Sequence, residues 1–195
     1  MILKLTRKAK MTFVQVNWTL GAFALLVGAA LAITTPNEKI LSISIYLGLL
    51  MFFAGLINIV VYIQNRNPLM GAHWIIADGL TTLFLSLFPI FNAITFPNLI
   101  PFFFGAWELF SGIVKIVECI ELQDYKLKGW QWFAAIGSIE LFSGISSMIK
   151  PVDDLIGIHV VIAIIMLIQS LGFIFKIFVY RHQIHIISEK KNEKR

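Results

Sequence analysis

The chain has 195 residues, 58% of them hydrophobic and only 14% charged, with a formal net charge of +5 and a mean hydropathy of +0.82. A soluble domain is nearer half apolar and a quarter charged. A chain this short and this apolar cannot cover itself with polar groups, so lipid is its expected solvent. The basic excess does not point to nucleic acid, because Lys and Arg gather at the two termini beside apolar runs, which suits anionic lipid headgroups.

The N-terminus is basic and then turns apolar, like a signal peptide. The run over 14–33 is instead as long as a bilayer-spanning helix, no small-residue cleavage site follows it, and Thr34, Thr35 and Pro36 end it. Six segments of about 20 apolar residues are predicted to span, near 14–34, 40–63, 73–91, 96–118, 130–149 and 155–179. In lipid every backbone amide must bond within its own segment, so these are helices. Thr35-Pro36, Asn67-Pro68 and Lys150-Pro151 are stops. Pro97 and Pro101 fall near the start of the fourth span, where missing amides cost least, and Pro89 near the end of the third. Short connections predict antiparallel hairpins, with the longest loop near 119–129 holding Glu121, Asp124, Lys126 and Lys128.

The expected organisation is all-α. A basic cytoplasmic N-terminus (1–13) precedes a six-helix transmembrane domain (14–180) of three tandem helical hairpins, and a charged cytoplasmic tail (181–195) follows, disordered after about Ile187. Orientation follows Lys and Arg. Lys4, Arg7, Lys8 and Lys10 lie at the N-terminus, Arg66 in the second loop, Lys126 and Lys128 in the fourth. Lys176, Arg181, Lys190, Lys191, Lys194 and Arg195 lie at the C-terminal end, against only Lys39 and Lys150 in the other loops. Both termini are therefore expected in the cytoplasm.

Three repeats are read at about 14–66, 72–120 and 128–180. Trp18, Trp74 and Trp130 each open the first helix of a hairpin and stand 56 residues apart. Glycines recur seven residues apart within helices, as Gly21 and Gly28, Gly48 and Gly55, Gly105 and Gly112, and Gly137 and Gly144, with Gly79 and Ser86 on the same step. Seven residues is almost two turns, so each pair forms a stripe that lets helix backbones approach. The sixth helix keeps only Gly172.

This pattern resembles the HdeD-like acid-resistance membrane proteins of bacteria, whose six spans are built from a short repeated unit. The matching stretches run from Trp18 through Gly21 and Gly28 to Pro36, then Gly48 through Gly55; from Trp74 through Gly79 to Pro89, then Gly105, Trp107 and Gly112; and from Trp132 through Gly137 and Gly144 to Pro151. The resemblance covers about 14–180. It departs at the outer turn after Pro89 and in the sixth helix. It implies a multi-pass bacterial plasma-membrane protein linked to survival in acid, and supplies no mechanism.

Charges inside spans are costly and functional by default. Asp78 lies roughly 6 Å past Trp74 and Lys115 at a comparable depth on the partner helix. An Asp78–Lys115 ion pair is expected, with Lys115 free to snorkel. Glu108 and Glu140 fall near the midplane with no basic partner at their own depth. A carboxylate without a counter-charge in an apolar medium tends to hold its proton. The two read either as a proton sensor or relay, or as neutral acids bonded to Ser143, Thr82, Gln169 or a backbone carbonyl and holding helices together.

No catalytic constellation, metal site or cofactor motif is expected. Cys119 stands alone, and His73, His159, His182 and His185 lack ligand spacing on a common face. The functional readings are a membrane stress protein, a small transporter or channel lined by Glu108, Glu140, Asn58 and Gln169, a scaffold, and, last, an enzyme. The expected surroundings are the lipid bilayer, with a homo-oligomer left open.

Overall fold

The computed structural model describes residues 2–36, 39–65, 72–91, 99–124, 126, 129–149 and 157–193. Six helices follow the six apolar runs: α1 (Ile2–Thr34), α2 (Ile40–Asn65), α3 (Ala72–Ile90), α4 (Leu99–Asp124), α5 (Trp130–Ile149) and α6 (Ile158–Glu193). Each contains a stretch long and apolar enough to cross a membrane. Phe23, Phe84, Phe142 and Phe178 stand more than half exposed on the outside, where only lipid makes such a surface stable.

The helix ends have local causes. At the end of α1, the hydroxyls of Thr34 and Thr35 bond the carbonyls of Ala30 and Leu31, taking up acceptors the last turn leaves open, and Pro36 follows. Pro101 is the third residue of α4 and needs no helical donor there. Between α4 and α5 the chain reverses within five residues, with Lys126 at φ 54° and Gly129 at φ 104°, both left-handed. The stops at Asn67-Pro68 and Lys150-Pro151, together with Pro97, Arg66, Lys128, Lys194 and Arg195, lie outside the described residues.

Three boundaries differ from the sequence reading. The expected loop at 119–129 is mostly α4, which continues through Glu121 to Asp124. The tail after Ile187 is helical through Glu193, and the basic N-terminus is helical from Ile2. Once a span is formed, propagation costs far less than nucleation, and neither extension contains Gly or Pro to stop it.

The helices close into a ring in chain order, with α6 packed against α1. Cross-contacts set the directions: Trp18 meets Asn58 and Gly28 faces Leu50, Thr82 meets Trp107 and Phe88 stacks on Phe103, Trp132 stacks on Phe175. Every neighbouring pair is therefore antiparallel. The start of the α1 span and the end of the α6 span share one end of the ring, where the rings of Trp18 and Tyr180 lie 5.0 Å apart. That end is termed near, and the end holding Thr34, Ile40 and Ile158 far.

The most extensive contacts are not within the predicted hairpins but between them, in α2·α3, α4·α5 and α6·α1. The glycines explain why. A Cβ on Gly55 would stand 2.9 Å from the Gly79 carbonyl oxygen, and one on Gly79 would stand 3.0 Å from the Gly55 carbonyl. Gly112 with Gly137, and Gly105 with Gly144, repeat this reciprocal contact between α4 and α5. Against α1, Gly21 receives the ring of Phe173 and Gly28 the sulfur of Met166. Gly21, Gly79 and Gly137, each 58 residues from the last, face Phe173, Ile59 and Ile116 in turn, themselves 57 apart. Three equivalent contacts around one ring are a three-fold repeat in space. Its register is that of the glycines. The tryptophans are not equivalent: Trp18 is fully buried, whereas Trp74 and Trp130 are partly exposed.

Candidate functional site

Inside the ring, the near half of the core is polar. Around Asp78 of α3, three helices supply partners and a fourth backs one of them. Lys176 of α6 makes an ion pair at 2.7 Å with Oδ2, and Asn58 of α2 donates to the same oxygen at 3.0 Å. Ser111 of α4 lies 3.1 Å from Oδ1. Trp18 of α1 donates its indole N–H to the Asn58 carbonyl oxygen at 3.2 Å.

Ser111 is a junction. Its oxygen accepts from the Lys115 Nζ at 2.6 Å and faces both Asp78 and the Gln169 Oε1, the latter at 3.2 Å. One hydroxyl carries one proton, so it serves one of those two acceptors at a time. Lys115 continues the string with an ion pair to Glu140 of α5, 2.7 Å from Oε1 and 2.8 Å from Oε2. Gly172 of α6 makes room for it: a Cβ there would meet the Lys115 Cε at 3.0 Å and the Glu140 Oε1 at 3.3 Å.

The expected Asp78–Lys115 pair is thus not formed. Each charge has another counter-ion, and Ser111 stands between the two pairs. The reason is the ring: α6 closes it beside α1 and carries Lys176 inward to Asp78, which frees Lys115 for Glu140. Lys176, first counted with the basic C-terminal end, is 1% exposed and belongs to the interior. Its place inside the apolar run 155–179 was the available signal. Glu140, expected to lack a basic partner, has Lys115.

Glu108 keeps its expected isolation. It is fully buried, and neither carboxyl oxygen has a hydrogen-bond partner among the described residues. Ser143 is its hydroxyl neighbour, and Glu140 and Lys115 act on Glu108 through space. Glu108 sits one turn before Gly112, the very residue against which the Glu140 Cβ packs. The two acids are therefore neighbours across the α4·α5 seam. Thr82 accepts the Trp107 indole N–H at 2.9 Å.

Glu118, the last residue of the predicted fourth span, was not among the charges singled out from the sequence. It is 1% exposed, accepts the Tyr180 hydroxyl on Oε1, and has no hydrogen-bond partner on Oε2 among the described residues. Among the described residues the buried interior therefore holds four carboxyl groups, Asp78, Glu108, Glu118 and Glu140, against two ammonium groups, Lys115 and Lys176. No group of three or more His, Cys, Asp or Glu among the described residues is arranged to hold a metal ion.

This is the constitution of a charge-bearing core, held between helices that the glycine seams bring close. No curated protein and no solved structure matches the chain. The sequence pattern described as a short repeat of unknown function (DUF308) matches it twice, over residues 19–91 and 78–149. The two matches start 59 residues apart, within one residue of the glycine step. Together they cover more than half of the chain, which belongs to this family of short-repeat proteins, DUF308.

Proposed function

We propose that the protein is a bacterial plasma-membrane component that supports survival in acid, both termini in the cytoplasm, and that it responds to protons through its buried carboxyl groups. The observation that carries this reading is the surplus of acids over bases in the core, with Glu108 in no ion pair among the described residues. An uncompensated charge in a dry interior costs several kcal/mol, and adding one proton removes it. Glu108 lies beside Glu140, so its charge state acts directly on the Lys115–Glu140 pair and hence on the contact between α4 and α5. The resemblance to HdeD-like proteins supplies the physiological setting.

The test is acid survival of a strain lacking the gene, complemented with wild type, Glu108→Gln or Glu140→Gln at matched membrane levels. Rescue by wild type and by neither variant is expected. Rescue by all three keeps acid tolerance and reduces the glutamates to packing. No defect in the deletion strain removes the acid role. A small transporter or channel is the second reading, favoured by the string of polar side chains from Trp18 to Glu140. It requires a flux across liposomes that Glu108→Gln abolishes.

A further inference from the structure

The polar string has one dry end. Toward the far end the interior is filled by Leu25, Ala29, Leu47, Phe104, Ile162 and Met166, all buried. The buried hydroxyls in that half, Ser44, Ser86 and Ser147, each bond a carbonyl of their own helix, so none extends the string. Toward the near end the polarity continues to the surface. Glu121 accepts the Trp74 indole N–H at 2.8 Å, and the His73 Nε2 stands 3.3 Å from the same oxygen, with the His73 side chain 61% exposed. Glu118 lies one turn inside Glu121 on the same helix and is the outermost of the buried acids.

Charged and titratable groups face Glu118 from three helices: Tyr180 and Lys176 from α6, Asp78 from α3, and Lys115 from its own α4. The groups that α5 and α1 bring against Tyr180 are the rings of Phe133 and Trp18, which do not titrate. One Glu118 oxygen is committed to the Tyr180 hydroxyl and the other has no hydrogen-bond partner among the described residues.

We infer that Glu118 is the gateway through which the buried acids exchange protons with water at the near end, and that the far end is closed to them. This rests on the proton-response reading and gives it a side. A hydronium ion at the His73–Glu121 rim gives its proton to the free Glu118 oxygen and leaves as water, while the Tyr180 hydrogen bond stays in place. From Glu118 the proton passes inward as a relay through Lys176, Asp78, Ser111 and Lys115 to Glu140, each intermediate group giving up one proton as it takes one, so that Glu118 returns to its charged form and Glu140 becomes neutral. The protein then reports the acidity of one compartment, the one its termini face.

The test uses the full chain in vesicles sorted to a single orientation, with dicyclohexylcarbodiimide as the probe. This reagent adds to protonated carboxyl groups in apolar surroundings, and peptide masses locate it. Acid on the near side alone is expected to raise labelling at Glu118 and Glu140, and acid on the far side alone to leave both unchanged. Glu118→Gln is expected to slow the near-side response at Glu140 roughly tenfold or more, as loss of a proton-transfer group does. Sidedness is read on the wild type and does not depend on that variant folding. A Glu140 response to far-side acid, or an unchanged rate in folded Glu118→Gln, overturns the gateway and leaves the proton-response reading standing. Silence of Glu140 with both sides acidified overturns both.

Discussion

The α4·α5 and α6·α1 seams occupy equivalent places in the ring and are built differently. Between α4 and α5, glycine faces glycine twice, and backbone meets backbone. Between α6 and α1, the glycines of α1 face Phe173 and Met166, and one hydroxyl, that of Ser170, bonds the Ala22 carbonyl at 3.0 Å. What α6 lacks in small residues it supplies in polar reach: Lys176 to Asp78, Gln169 to Ser111, Tyr180 to Glu118. Lipid tails are as apolar as the helices, so association rests on packing and on hydrogen bonds rather than on burial of oily surface. One seam relies mainly on the first, and α6 relies mainly on the second.

Four substitutions separate these modes, each read as a change in unfolding free energy in detergent micelles. Lys176→Met has the largest expected effect, a loss of about 3–5 kcal/mol, because it leaves Asp78 buried without its counter-ion. A loss under about 1 kcal/mol would mean that Asn58 and Ser111 satisfy Asp78 alone. Gly112→Ala comes next, at about 1–3 kcal/mol, since the new methyl group would stand 2.9 Å from the Gly137 carbonyl and backbone cannot step aside. The matched change Gly28→Ala is expected to cost less, about 1 kcal/mol or below, because it meets mainly the flexible end of Met166. Equal losses at the two glycines would erase the distinction between the seams. Trp18→Phe, which removes one hydrogen bond to Asn58 and keeps a ring against Tyr180, is expected to cost the least, about 0.6 kcal/mol.

Much of this architecture was readable from residues alone, for a physical reason. Spans must be long and apolar, so all six were legible, and so were the paired glycines, because close approach requires small residues at helical spacing. Partnership was not legible. Gly55 reads as a packing residue, but nothing in its neighbours says that it meets Gly79 rather than a residue of its own hairpin. The equal spacing of Trp18, Trp74 and Trp130 gave the repeat a register two residues from that of the glycines, because indoles favour the interface wherever a span begins. The charges show the same limit. Glu108 was legible as isolated because depth alone argued it. The pairing of Asp78 and Lys115 failed because depth leaves open which helix comes round to face them, and Lys176 arrives from the far end of the sequence.

That distance sets a timetable for the growing chain. Lys115 and Glu140 are 25 residues apart, and the second is made soon after the first. Asp78 and Lys176 are separated by 98 residues. At ordinary elongation rates the ribosome needs roughly 5–20 s to cover that interval. Throughout it Asp78 is already synthesised and its counter-ion does not yet exist. Asn58 precedes it and Ser111 follows soon after, so these two are the attendants available to the nascent bundle. The sixth helix delivers both the missing charge and the wall that closes the ring, so closure and neutralisation of the core are one step.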